Sequence, residues 1–188
     1  MTDRPTALDL PMVDPLPPAT QKYFDICTDK LGMIPNVLQA YAFDIDKLNT
    51  FTALYNDLML GDSNLTKLER EMIAVVVSSI NKCYYCLTAH GAAVRALSGD
   101  PKLGEALVMN YKVAPIDARQ RAMLDFAVKL TKDSGGIVEA DRQTLRDHGL
   151  SDRDIFDVIA VTAFFNMTNR VASGTDMRPN DEYHAQAR

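Results

Sequence analysis

Apolar residues recur at three- and four-residue spacing along most of the chain, and that rhythm predicts a succession of helices. From Thr20 the stripe Tyr23, Phe24, Cys27 and Leu31 predicts a helix that Gly32 ends. Gly32-Met33-Ile34-Pro35-Asn36 reads as a turn, with Asn36 capping a second helix that carries Val37, Leu38, Tyr41 and Ala42. A third runs from about Ile45 to Leu60, with Leu48, Phe51, Tyr55, Leu58 and Met59, and Gly61-Asp62-Ser63-Asn64 closes it. Thr66-Lys67-Leu68-Glu69 has capping-box spacing and opens a fourth. Its β-branched middle, Ile73 to Ile80, has strand character. The cap, and the absence of Gly and Pro over 66–80, favour helix. Apolar character on every side then means burial.

Asn81-Lys82 breaks that run, and a helix starting at Cys83 continues through Leu87, Val94 and Leu97 to Ser98-Gly99. Asp100-Pro101 opens a short helix, a cap followed by Pro at the first helical position. Asp117 to Lys132 is amphipathic, Ser134-Gly135-Gly136 is a loop, and Glu139 to Asp147 is a helix ended by Gly149. Ser151-Asp152-Arg153-Asp154 caps a long helix to about Val171. Strand punctuation, Gly-x-Gly-x-x-Gly and Walker-type loops are missing. The fold class is therefore all-α, a compact multi-helix domain over residues 20–173. Residues 1–19 hold Pro5, Pro11, Pro15, Pro17 and Pro18, which predict an extended arm; its Leu8, Leu10, Met12, Val13 and Leu16 would lie against an apolar surface. Residues 174–188 read as a polar, extended tail.

At 188 residues the chain is long enough for one domain. A formal net charge of −5 without a basic cluster argues against nucleic acid and anionic membrane surfaces as partners. No apolar run reaches the roughly 18 residues of a membrane helix, and the N-terminus shows no leader pattern, so a cytoplasmic protein is expected. Helices lacking a clearly solvated face predict a homo-oligomer.

The chemistry concentrates in Cys83-Tyr84-Tyr85-Cys86-Leu87-Thr88-Ala89-His90, which holds two of the three cysteines and one of the three histidines. On a helix, Cys83, Cys86 and His90 share one face. A Cys-x-x-Cys pair at a helix start can close and reopen a disulfide, and the helix end with a nearby imidazole can hold one sulfur as thiolate. Glu71 would lie about 18 Å from Cys83 along one unbroken helix at 1.5 Å per residue. A fold-back at Asn81-Lys82 would bring them together, and burial would make Glu71 a better proton carrier near neutrality. The alternative is a solvated Glu71 paired with Lys67. Tyr84 and Tyr85 are expected to pack beside the thiols. Cys27 reads as a core residue of its own stripe, His148 as a helix-end cap, and Asn169 and Arg170 as the end of the last long helix.

Glu71, Cys83, Cys86 and His90 form Glu-x11-Cys-x-x-Cys-x3-His, which resembles the alkylhydroperoxidase D-like branch of the carboxymuconolactone decarboxylase superfamily, peroxidase-related members above all. The resemblance covers roughly residues 30–180, including Met33-Ile34-Pro35-Asn36 and Phe165-Asn166-Met167-Thr168-Asn169-Arg170. It implies an all-helical, oligomeric antioxidant enzyme whose cysteine pair reduces hydroperoxides, reset by a dithiol donor such as a lipoyl-carrying protein. Carried over by position, Cys86 attacks the peroxide, Cys83 resolves the sulfenic acid, and Glu71 and His90 relay protons. No metal or organic cofactor is called for. The best-studied branch has a histidine just before the second cysteine; here that residue is Tyr85. Helix-end electrostatics favour Cys83 as the thiolate, whereas His90 at i+4 favours Cys86.

Three other readings compete: a zinc site on Cys83, Cys86, His90 and Glu71; a non-redox decarboxylase-like enzyme of the same superfamily; and a binding module whose thiols are merely buried.

Overall fold

The computed structural model describes residues 4–188. Among these residues ten α-helices follow one another: α1 (Pro18–Leu31), α2 (Asn36–Tyr41), α3 (Ile45–Leu60), α4 (Lys67–Asn81), α5 (Tyr84–Ser98), α6 (Pro101–Asn110), α7 (Ala118–Lys132), α8 (Glu139–Asp147), α9 (Asp152–Gly174) and α10 (Glu182–Ala185). Among the described residues there is no strand, and no helix is long and apolar enough to cross a membrane. The all-α expectation holds.

Helix α4 is the axis of the molecule. Thr66 and Glu69 cap it reciprocally, each side chain bonded to the other's backbone. Glu69 is further held by Arg119 of α7. Every residue from Glu69 to Ser78 is buried, because α5, α6, α7 and α9 cover all of its faces. The β-branched run Val75-Val76-Val77 is thus a core helix, its cost in propensity offset by apolar burial on all sides.

What ends α4 also starts the site. Lys82 adopts the left-handed conformation (φ 55°), its N–H donates to the Ser79 carbonyl, and the Cys83 N–H reaches back to the Ser78 carbonyl. This Schellman arrangement reverses the chain within two residues. Cys83 therefore ends one helix and is the N-cap of the next. The fold-back at Asn81-Lys82 is real, and α5 returns alongside α4.

Helix α9 is registered against α4 by amides. Asn169 Nδ2 donates to Ser78 Oγ (2.9 Å), and Asn81 Nδ2 donates to the side-chain oxygens of Asn169 (2.9 Å) and Asn166 (3.1 Å). Such bonds fix the sliding position of two helices that apolar contact alone leaves loose.

Three local expectations are corrected. Pro35, not Asn36, is the N-cap of α2; the Asn36 N–H is taken by Asn180 Oδ1 (2.7 Å), and its side chain donates to the Arg178 carbonyl (2.9 Å). Helix α9 continues to Gly174, so Asn169 and Arg170 lie inside it. Residues 174–188 are not a solvated extension. Met177 is buried, α10 forms, and Arg95 of α5 donates to the carbonyls of Tyr183 (2.8 Å) and Gln186 (3.0 Å). The tail is strapped along α5. Arg95 is seated where Gly104 of α6 lets the two helices approach; a Cβ there would meet the Gly91 carbonyl at 3.3 Å. The N-terminal arm is pinned by backbone bonds from Ala7 to Thr175 and from Val13 to Ala42, yet Leu8, Leu10, Met12 and Val13 remain exposed.

Candidate active site

The reversal between α4 and α5 sets Glu71 against His90, with Glu71 Oε2 2.6 Å from His90 Nδ1. Both side chains are almost enclosed, at 9% and 13% exposure. The alternative of a solvated Glu71 paired with Lys67 is ruled out. Phe165 packs against the imidazole at near right angles, with ring centroids 4.6 Å apart at 81°. Nδ1 is engaged by the carboxylate, which leaves Nε2 as the nitrogen free for a proton carried to or from the cavity.

Both sulfurs are buried free thiols. Cys83, as N-cap, meets the amide end of α5. The Cys86 thiol donates to its sulfur, the Cys86 N–H points at it more loosely than an oxygen cap would allow, and Ser173 of α9 and the charge of His90 add to the effect. Together they outweigh burial and bring Cys83 down to about 6. Cys86 is pushed the other way, because its proton is committed to Cys83 and because it is buried. The polar groups of Asn169 and Thr168 on α9, beside the Cys86 sulfur, oppose that rise. These causes favour Cys83 over Cys86 as the thiolate of the pair. This is the helix-end order, not the order that His90 at i+4 suggests.

Access runs the opposite way. A cavity of about 330 Å3 opens beside α1 and α3 and ends on Cys86 and His90; Cys83 does not line it. The walls are mainly apolar and aromatic, with Lys30 near exposed Ile26, Leu31 and Leu60. Cys83 lies behind Cys86, out of substrate reach but in hydrogen-bond contact with it.

The two tyrosines of the motif part company. Tyr85 is buried with the thiols; its oxygen accepts the Val37 N–H (3.0 Å) and its hydroxyl donates to Tyr183 of the tail. Tyr84 turns outward, 56% exposed, and meets His184 Nε2 at 3.1 Å. Cys27 is buried on α1 and lines the same cavity, but packs with Phe24, Leu38 and Leu48, a cluster separate from that of the sulfur pair. His148 ends α8 and meets the Thr144 carbonyl at 2.8 Å, as a cap should. Arg170 reaches the Asn166 carbonyl (2.5 Å) on the outside of α9.

Sequence reasoning missed Thr168, Ser173 and Tyr183, whose roles arise from α9 and the tail meeting α5. For Asn169 a signal existed: it follows Phe165 by four residues on the inward stripe of Ile155, Val158, Thr162 and Phe165, and an amide on a buried face must find a partner.

Among the described residues, no three His, Cys, Asp or Glu side chains converge as metal ligands would. The bonds already made explain why: Glu71 is spent on His90, and the two sulfurs face each other.

An all-helical fold with a paired carboxylate and imidazole above a Cys-x-x-Cys N-cap defines a class of small thiol-bearing domains. Residues 46–110 match the carboxymuconolactone decarboxylase family. An uncharacterised peroxidase-related protein from Silicibacter sp. TM1040 is 73% identical over 100% of both chains, with a TM-score of 0.97. A second, described as an alkylhydroperoxidase AhpD core and uncharacterised peroxidase-related protein, from Ralstonia eutropha JMP134, is 42% identical over 98% of this chain and 97% of its own, with a TM-score of 0.94. The debrominase Bmp8, in complex with 2,3,4-tribromopyrrole, shares the fold alone at 17% identity, with a TM-score of 0.81 over 98% of this chain and 97% of its own. No curated protein of assigned function matches. The chain belongs to the AhpD-like, peroxidase-related proteins of the carboxymuconolactone decarboxylase family.

Proposed function

We propose that the protein is a thiol-dependent hydroperoxide reductase in which Cys86 attacks, Cys83 resolves, and the Glu71–His90 pair supplies a proton. The observation that carries this reading is the division between the sulfurs: Cys86 faces the cavity beside His90, which Glu71 holds at 2.6 Å, and Cys83 stands behind it as a free thiol.

The division suggests how the reaction begins. Hydroperoxide entering the cavity meets a neutral Cys86 whose proton already points at the Cys83 thiolate. Transfer along that hydrogen bond makes Cys83 the thiol and Cys86 the thiolate, which Thr168 and Asn169 then stabilise. Cys83 is thus the first base as well as the later resolving group. Cys86 sulfur forms a bond to the distal peroxide oxygen, the O–O bond breaks, and the alkoxide leaves with the proton held between Glu71 and His90. Cys83 then displaces hydroxide from the sulfenic acid, and its own proton completes the water. The sum is one dithiol monoanion, one hydroperoxide and one proton giving a disulfide, an alcohol and water. An external dithiol, of the lipoyl type, restores the pair. A protein that works this way needs no metal or organic cofactor.

Peroxide consumption in the presence of small dithiols tests the reading. Wild-type protein should turn over, and both Cys86→Ser and Cys83→Ser should not. If the serine variants consume peroxide as fast as wild type, the thiols are bystanders and the non-redox decarboxylase-like reading gains.

A further inference from the structure

Besides Cys86, two sulfur-bearing side chains line the cavity, Cys27 and Met177. Cys27 packs within its own cluster on the α1 side. Met177 is 5% exposed and belongs to the cluster of the sulfur pair, with Cys83, Tyr85, Cys86, Ala89 and Ala172. Among the described methionines it alone lines the cavity. Met12, Met109 and Met167 are exposed elsewhere, Met109 most of all at 83%, and Met72 and Met123 are sealed in the main core. Hydroperoxide that reaches Cys86 therefore also meets a thioether.

The end of α9 puts Met177 there. Asp176 adopts the left-handed conformation (φ 49°), its N–H donates to the Ser173 carbonyl (3.3 Å), and the Met177 N–H reaches back to the Ala172 carbonyl (2.8 Å). In such a helix end, the residue after the left-handed one packs against the residue that accepts its N–H. Here those two are Met177 and Ala172, both in the cluster of the sulfur pair. Met177 is also the first inward anchor of the tail. Beyond it the Arg178 N–H donates to the Pro5 carbonyl (2.9 Å), Asn180 Nδ2 donates to the Ile34 carbonyl (2.9 Å), and Tyr183 returns to line the cavity. One side chain thus joins the site to the segment that walls it.

We infer that Met177 is a modification site: hydroperoxide in excess of what the cysteine pair takes up oxidises it to the sulfoxide, and the oxidation releases the tail. The inference rests on the hydroperoxide reductase reading in taking the cavity as the place where hydroperoxide arrives. The thioether sulfur forms a bond to the distal peroxide oxygen, the O–O bond breaks, and the hydrogen of the distal oxygen passes to the leaving alkoxide. One thioether and one hydroperoxide give one sulfoxide and one alcohol; the sulfur loses two electrons, the peroxide gains them, and no further reactant enters. The sulfoxide places a strong acceptor in an apolar cluster. A buried acceptor without a partner opposes packing, so the oxidised side chain leaves the cluster and the tail loses its hold beside Cys86.

The test gives reduced full-length protein one equivalent of tert-butyl hydroperoxide and then a large excess, without a reductant, and maps cysteines and methionines by peptide mass. The first equivalent should go to the Cys83–Cys86 disulfide. In excess, Met177 should gain one oxygen several times faster than Met109, against the order of exposure, while Met72 and Met123 gain none. A small dithiol then reopens the disulfide and leaves the sulfoxide in place. Limited proteolysis should trim the C-terminal residues of this protein several times faster than those of untreated protein. Met177→Leu keeps the volume without the oxidisable sulfur, and its tail should stay resistant after the same treatment. An unfolding midpoint close to that of wild type checks its folding; if it fails that check, the order of oxidation in wild type decides alone. Oxidation of Met109 ahead of Met177, an oxidised Met177 with a tail as resistant as before, or a folded Met177→Leu whose tail is released as in wild type overturns the inference. If Met177 sulfoxide forms and frees the tail while Cys83 and Cys86 stay thiols, the reductase reading fails and the modification site stands. A disulfide beside an untouched Met177 keeps the reductase reading and removes the inference.

Discussion

Glu71 and His90, nineteen residues apart in the chain, meet at 2.6 Å across the seam between α4 and α5. The pair exists because Lys82 accepts a left-handed conformation and turns the chain back on itself. It is enclosed enough that neither partner can be removed without leaving the other unsatisfied.

That enclosure separates a structural cost from a chemical one. Glu71→Ala should cost about 3 kcal/mol, since it leaves the imidazole buried without its partner. Glu71→Gln keeps the shape and a hydrogen bond but cannot pass a proton. Its turnover should fall by roughly a hundredfold, the usual scale for a lost proton carrier, while thermal unfolding shifts only slightly. Chemical denaturation and peroxide turnover measured on both variants check this.

Thiol reactivity should follow the charge on Cys83. Its thiolate forms above about 6, so rapid alkylation of the native pair should rise through that pH. In Cys83→Ser, Cys86 loses the acceptor that commits its proton and the charge that opposes its ionisation, so it should titrate lower than it does beside Cys83. Iodoacetamide rates between pH 5 and 9, read peptide by peptide, give both profiles.

The same shift links stability to pH. Cys83 is deprotonated in the folded chain above about 6, whereas an unfolded thiol holds its proton to about 8.5. The unfolded state therefore binds more protons in that window, and stability rises with pH across it. The contribution is full above the unfolded value and lost as pH falls through about 6. Below pH 8, Cys86 is protonated in both states and is silent. Urea midpoints from pH 5.5 to 8 should show a steeper rise in wild type than in Cys83→Ser.

Tyr85 occupies the position of a relay histidine in the resemblance, but its bonds go to the Val37 N–H and to Tyr183. Tyr85→Phe leaves the Val37 N–H without its acceptor and should cost about 1–2 kcal/mol. The pH profile of thiol alkylation should not move. A displaced profile would make the phenol part of the proton path.

Arg95 is buried with carbonyls, not a carboxylate, as its acceptors. Arg95→Ala should release the tail and with it Tyr183, which lines the cavity. Limited proteolysis should then trim the C-terminal residues, and Cys86 should alkylate several times faster. An intact tail with unchanged alkylation would show that Asn180 and Met177 hold it alone.

Much of the fold was legible because its signals are local. The Thr66–Glu69 box, the Asp100-Pro101 start, the Gly32 stop and the periodic stripe from Ile45 to Leu60 each act within a few residues, and each stands where the pattern places it. The motif residues were legible for the same reason, since α5 alone aligns Cys83, Cys86 and His90. What the chain conceals is non-local. Asn180 and Tyr183 sit in a polar stretch whose bonds lie 146 and 88 residues away, at Ile34 and Arg95. Thr168 acts on a sulfur of another helix, and no spacing announces it. The order of the two thiols likewise depends on which one faces the cavity, and that is decided by packing.

The central claim is that Cys83 and Cys86 act as one redox pair, and one measurement bears on it most directly. Fully reduced protein is treated with a single equivalent of hydroperoxide, quenched with alkylating agent, and mapped by mass spectrometry. The account predicts a peptide carrying Cys83 and Cys86 that is two hydrogens lighter and unalkylated, one equivalent of alcohol, and Cys27 still alkylated. Recovery of all three cysteines as alkylated thiols, with the peroxide unconsumed, would contradict it.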